Sequence, residues 1–93
     1  GSDVFSVADG VVTFAGKRTG YGNVVEVNHG DGLVTRYAHA RAVAVKAGDI
    51  VSKDQLVAYM GSTGRSTGTH LHYEVLRNGK QIDPTTFIRV AKR

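Results

Sequence analysis

The chain has no cysteine and no tryptophan, and only one proline and one methionine among its 93 residues. Without cysteine there is neither a disulfide scaffold nor a thiolate metal site, so any metal falls to His, Asp and Glu. No apolar run approaches the roughly 18 residues of a membrane-spanning helix, and no secretory leader pattern is present. The formal net charge is +4, from 12 Lys and Arg against 8 Asp and Glu. Apart from Arg89, Lys92 and Arg93, that excess is spread along the chain. With no basic run interleaved with aromatics, nucleic acid is not an expected partner. A mildly basic surface suits an anionic cell envelope.

What is abundant is glycine, with 12 residues punctuating short apolar segments. That pattern predicts a single all-β domain over 1–93, a compact barrel-sandwich with an open groove. "VFSVADGVVTFAG" reads as two strands joined in a hairpin at Asp9-Gly10. "NVVEVNHGDGLVTRYAHA" reads as a second hairpin, turning at His29 to Gly32 and returning from Leu33 to Ala38. Val45, Ile50 and Val51 flank Ala47-Gly48-Asp49, and further strands are expected over Leu56 to Met60 and over Leu71 to Leu76, followed by a turn at Arg77 to Lys80 and then Ile82. Residues 61–69 form a loop rich in Gly, Ser and Thr, and "TTFIRV" suits one turn of helix. A start at Gly1-Ser2 with no initiator Met reads as an excised piece, either a tag scar or a domain cut from a longer chain.

Two of the four histidines stand one residue apart in "GTHLHYEV". On a strand His70, His72 and Glu74 share one face, and Leu71, Tyr73 and Val75 share the other. The apolar side is expected to face the core, opening the histidines toward a cleft. His70 and His72 lie about 6.6–6.8 Å apart along the strand, within reach of one small centre. Either both bind a metal, or one binds it while the other handles a proton or an oxyanion. The plainer reading is two surface histidines. In "TRYAHA", Thr35, Tyr37 and His39 also share a face, so Tyr37 and His39 are candidates to line the same cleft. His29, in a turn, is read as a surface histidine.

Taken together, "GYGNVVEVNHGDGLVTRYAHA", "VKAGDIVSKDQLVAYMGSTGRSTGTHLHYEV" and "NGKQIDP" resemble the lysostaphin-type (LytM-like) zinc metallopeptidases, which cut peptide cross-links in bacterial peptidoglycan. The resemblance runs from about Val4 to Phe87. It implies zinc as cofactor, with His72 as a metal ligand, and His39 and His70 flanking the metal-bound water. It also implies peptidoglycan peptides as substrate and an extracytoplasmic location in the periplasm, at the cell surface or secreted. The groove is expected between the 61–69 loop, with Ser66 and Thr67, and the hairpin around Tyr21-Gly22-Asn23. Asn23, Tyr37, Ser66 and Thr67 are therefore the expected substrate contacts.

The sequence departs from this family at one point. The other two zinc ligands of such enzymes come from an upstream His-x-x-x-Asp motif, and these 93 residues contain none. Three readings follow. The chain is part of a true endopeptidase whose upstream segment is missing, so that alone it is inactive. Alternatively it is a non-catalytic relative that binds the wall or activates another wall hydrolase. A third reading, a biotinyl or lipoyl carrier suggested by "VKAGDIV", lacks a lysine in the usual setting. A missing segment would leave a strand edge open to that segment, to a second copy or to an envelope protein.

Overall fold

The computed structural model describes residues 2–61 and 72–82. Its nine strands are β1 (Ser2–Phe5), β2 (Gly10–Arg18), β3 (Gly22–Gly30), β4 (Leu33–Ala40), β5 (Ala42–Val43), β6 (Ile50–Val51), β7 (Leu56–Gly61), β8 (His72–Arg77) and β9 (Lys80–Ile82). They form two antiparallel sheets, a small one in the order β1-β7-β5 and a large one in the order β6-β2-β3-β4-β8-β9. This is the all-β sandwich that glycine spacing and short valine-rich runs predict.

Tight turns fix the long strands of the large sheet. Between β3 and β4 lie only Asp31 and Gly32, with φ of 52° and 78°. Between β8 and β9 lie Asn78 and Gly79, with φ of 53° and 83°. Two consecutive left-handed residues give the primed turn whose twist matches that of antiparallel strands. The two turns also touch: Asn78 N donates to Gly32 O at 2.8 Å. A side chain on Gly32 would meet Asn78 Oδ1 at 2.0 Å.

The expected β1–β2 hairpin at Asp9-Gly10 does not form. β1 pairs with β7 in the small sheet, while β2 pairs with β3 and β6 in the large one. Residues 6–9 are a crossover between sheets, held by contacts remote in sequence. Ser6 N donates to Gln55 O at 2.9 Å, Asp54 N to Ser6 O at 2.7 Å, and Lys53 N to Asp9 Oδ1 at 2.7 Å. Gly10 serves packing rather than a turn, because a Cβ there would lie 2.6 Å from Asn28 O and 2.9 Å from His29 Nδ1. The expected 61–69 loop lies largely, and the helical turn wholly, outside the described residues.

The core lies between the sheets. Val12, Val25, Val27 and Tyr37 of the large sheet meet Val4, Val57 and Ala58 of the small one, all at most 5% exposed. Burying a side chain of this size contributes roughly 1.5–3 kcal/mol each. The opposite face of the large sheet looks outward and bears the charge.

Candidate active site

Cross-strand register decides which side chains share the outward face. Phe14 stands opposite Glu26, Glu26 opposite Arg36, and Arg36 opposite Glu74. One charged ladder thus runs across four strands. Arg36 Nε donates to Glu26 Oε2 at 2.8 Å, and its Nη1 to Glu74 Oε1 at 2.7 Å and to Tyr21 Oη at 3.1 Å. Arg18 Nη1 donates to the same Glu26 carboxylate and its guanidinium lies 4.0 Å over the Phe14 ring. Burial works against the charge on Arg36, but the hydrogen bonds to Glu74 and Glu26 outweigh it and hold the guanidinium protonated beyond its ordinary range. Two cations and two carboxylates balance, so the ladder adds polarity without net charge.

Directly beside the ladder, Ala38 of β4 stands opposite His72 of β8. Along β8, position 72 lies two residues before Glu74. His39 follows Ala38 on the adjoining strand. It is exposed, and its φ is +62°. Such a conformation is strained for a residue with a Cβ and gathers at functional sites. It is held by a bond from His39 N to Tyr21 O at 2.9 Å. The His39 ring passes over Gly22, whose added Cβ would lie 3.8 Å from His39 Nδ1. Register therefore brings positions 39 and 72 to neighbouring strands at the same end of the sheet. Serines, threonines and His70 of the 62–71 stretch, including Ser66 and Thr67, lie outside the described residues.

Two expected substrate contacts have other duties. Tyr37 is 1% exposed and faces the core, not a cleft. Its hydroxyl accepts from Val7 N at 3.2 Å and lies 2.8 Å from Thr35 Oγ1, and burial raises the pKa of the phenol. The reason is alternation: Tyr37 shares the inward set with Thr35, and the positive φ at His39 breaks that set, so His39 alone emerges. Asn23 Nδ2 donates to Ala40 O at 3.1 Å and to Arg41 O at 2.8 Å. Both amide hydrogens are thereby engaged in clamping the corner just beyond His39.

His29, read as a surface residue, is instead a bridge. Its Nδ1 meets Asp9 O and its Nε2 meets Thr35 Oγ1, each at 2.7 Å. A carbonyl only accepts, so Nδ1 carries a proton. Across from Tyr37, Tyr73 stacks with ring centroids 5.4 Å apart. Its buried hydroxyl has no hydrogen-bond partner among the described residues, and burial pushes its pKa far upward.

A catalytic zinc site takes three protein ligands. No group of three or more His, Asp or Glu residues able to hold a metal occurs among the described residues. The described residues therefore do not by themselves form a zinc site.

A two-sheet β-sandwich with a polar outward face and a strained histidine at the end of a strand defines the class: a small all-β domain built to present one sheet face. Over residues 1–84 the chain matches Peptidase family M23, and it belongs to that family. It is 45% identical over 86 residues to the DD-carboxypeptidase/endopeptidase Mpg of Neisseria meningitidis serogroup B, covering 92% of this chain and 20% of that protein. It is 37% identical over 89 residues to the murein hydrolase activator NlpD of Escherichia coli, covering 95% and 23%. Among solved structures it resembles lysostaphin of Staphylococcus simulans, with a TM-score of 0.83 and 33% identity over 99% of this chain and 41% of that one. The chain thus spans about a fifth of the length of the curated relatives it matches.

Proposed function

We propose that this chain belongs to a zinc-dependent endopeptidase that cuts stem or cross-bridge peptides of peptidoglycan outside the cytoplasm. The observation that carries the reading is the β4–β8 register, which sets Ala38 opposite His72 and so brings positions 39 and 72 to neighbouring strands at one end of the sheet, beside the charged ladder. In the whole protein His72 is the metal ligand this chain contributes, and the remaining ligands come from residues outside it. When bound, zinc supplies a Lewis acid and lowers the pKa of a bound water. His39 and His70 hold or move protons, a task suited to imidazoles that titrate near neutrality. Asn23, by clamping Ala40 and Arg41, keeps His39 in place. Tyr37 supports the sheet from beneath.

The Mpg relative, a DD-carboxypeptidase/endopeptidase by name, favours hydrolysis. The NlpD relative, a murein hydrolase activator, favours a second reading in which the chain switches on another wall enzyme through a protein contact. One experiment separates them. The whole protein is incubated with purified peptidoglycan, with and without a chelator, and with and without a wall amidase, and products are read by mass spectrometry. The first reading predicts chelator-sensitive peptide-bond cleavage by the protein alone, and a fall of about 10²–10⁴-fold in His39→Ala. Products that arise only when the amidase is present would establish the second.

A further inference from the structure

The outward face carries another row beyond the ladder. Ile50, Val11, Asn28, Val34, Leu76 and Gln81 stand opposite one another in turn, one from each strand of the large sheet. None is charged, in contrast to the neighbouring row of Arg and Glu. Ile50 is 79% exposed and Val11 43%. At the β6 end the row opens into a groove of about 680 Å³, whose walls include Thr13 and His29. Nothing in the ladder or in the pairing of positions 38 and 72 makes use of this surface.

We infer that this row and its groove bind the glycan strand of peptidoglycan through N-acetylated sugar units, while the stem peptide crosses the ladder toward position 72. The inference rests on the peptidoglycan reading given above. Spacing supports it first. Positions 76 and 72 of β8 are four residues apart, or about 13 Å along a strand. An extended peptide of about four residues covers that same span. A stem peptide rooted on the outer row would thus deliver its far end to the His72 position.

Chemistry supports it second. Sugar rings and acetamido methyls present C–H surface, which Ile50, Val11, Val34 and Leu76 match. Acetamido groups also need amide partners. Asn28, whose Oδ1 accepts from Gly30 N at 2.8 Å, and Gln81 at the other end are both exposed and carry side-chain amides. An uncharged row suits an uncharged sugar. A protein partner fits less well, because protein interfaces concentrate their binding energy in Trp, Tyr and Arg, and the row has none.

The test is an NMR titration of the ¹⁵N-labelled whole protein with two separate probes, a peptide-free tetramer of N-acetylglucosamine and a free stem tetrapeptide. The tetramer is expected to shift the amides of Val11, Asn28 and Ile50, and the peptide those of Arg36 and Ala38. Ile50→Glu, at a site too exposed to endanger folding, should weaken the tetramer by about tenfold and leave the peptide response as it was. Val11→Thr, which keeps the shape, should weaken it by less. If the peptide shifts its amides but the tetramer leaves the outer row unmoved, the glycan site is wrong and the peptidoglycan reading stands. If neither probe binds, both fall. If the outer-row amides move with protein concentration alone, the row is a contact between copies and the inference is overturned.

Discussion

The two faces of the large sheet handle polar groups in opposite ways. On the inward face a thread of hydrogen bonds runs from Asp9 O through His29, Thr35 and the Tyr37 hydroxyl to Val7 N. It is embedded among valines that are almost fully buried. On the outward face polarity is a ladder of full charges, Arg18, Glu26, Arg36 and Glu74, partly open to water. Buried hydrogen-bonding groups are costly when orphaned, so the inner thread ties sheet to crossover and tolerates little change. Partly solvated ion pairs contribute modestly. The outer face can therefore be shaped by what it must bind, at small cost to the fold.

That contrast can be broken by mutation, and the largest effect belongs to the inner face. Tyr37→Ala removes a fully buried ring and two hydrogen-bonded contacts, and should cost about 3–5 kcal/mol in chemical denaturation. Tyr37→Phe, which orphans Val7 N and removes one of the two contacts of Thr35 Oγ1, should cost about 1–3 kcal/mol. A loss below about 0.5 kcal/mol for Tyr37→Phe would mean that the thread is dispensable.

Next comes the centre of the ladder. Arg36→Leu leaves Glu26 and Glu74 facing each other without their shared cation. Breaking a fully buried pair costs about 3–5 kcal/mol, and partial exposure reduces this to about 2 kcal/mol here. The loss should shrink in high salt, which screens the two facing carboxylates. An unchanged loss in high salt would show that packing, not charge, was removed. His29→Ala should cost about 1–2 kcal/mol by unbridging Asp9 and Thr35. Arg18→Ala, at the exposed end, should cost less than about 1 kcal/mol, and its effect should fade in high salt.

Tyr73→Phe gives the smallest and most discriminating effect. Its hydroxyl has no described partner, so removal should be neutral or slightly stabilising near pH 7, opposite in sign to Tyr37→Phe. Both phenols have pKa values raised by burial above the ordinary 10.0. A raised folded value means that each contributes stability fully present below the unfolded pKa and lost as pH climbs through the folded one. Stability should therefore decline above about pH 10, and Tyr73→Phe should flatten part of that decline. A denaturation series from pH 8 upward reads this directly.

How far sequence alone anticipates these faces depends on how local each signal is. The β3–β4 hairpin is visible in "NHGDG" because a two-residue turn of left-handed residues is a local matter. The supposed hairpin at Asp9-Gly10 fails because its partners, Lys53, Gln55 and Asn28, are distant in sequence. Alternation correctly groups Thr35 with Tyr37, but only the packed sheets reveal that this set faces inward and that His39 leaves it through a positive φ. The ladder escapes notice because its members are drawn from four strands. The available hint was a charge set among apolar residues in "VVEV", "TRYA" and "HYEV", where a solvated surface strand has no need of so many valines. His29 hides its role because a histidine in a turn ordinarily faces water.

The working claim is that position 72, next to the ladder and opposite Ala38, carries the metal on which wall cleavage depends. It is tested most directly in the whole protein by measuring zinc content and release of soluble peptides from purified peptidoglycan, side by side for the native protein and His72→Ala. Loss of both in a variant that unfolds at the native denaturant midpoint is the predicted result. Undiminished peptide release by His72→Ala would contradict the account.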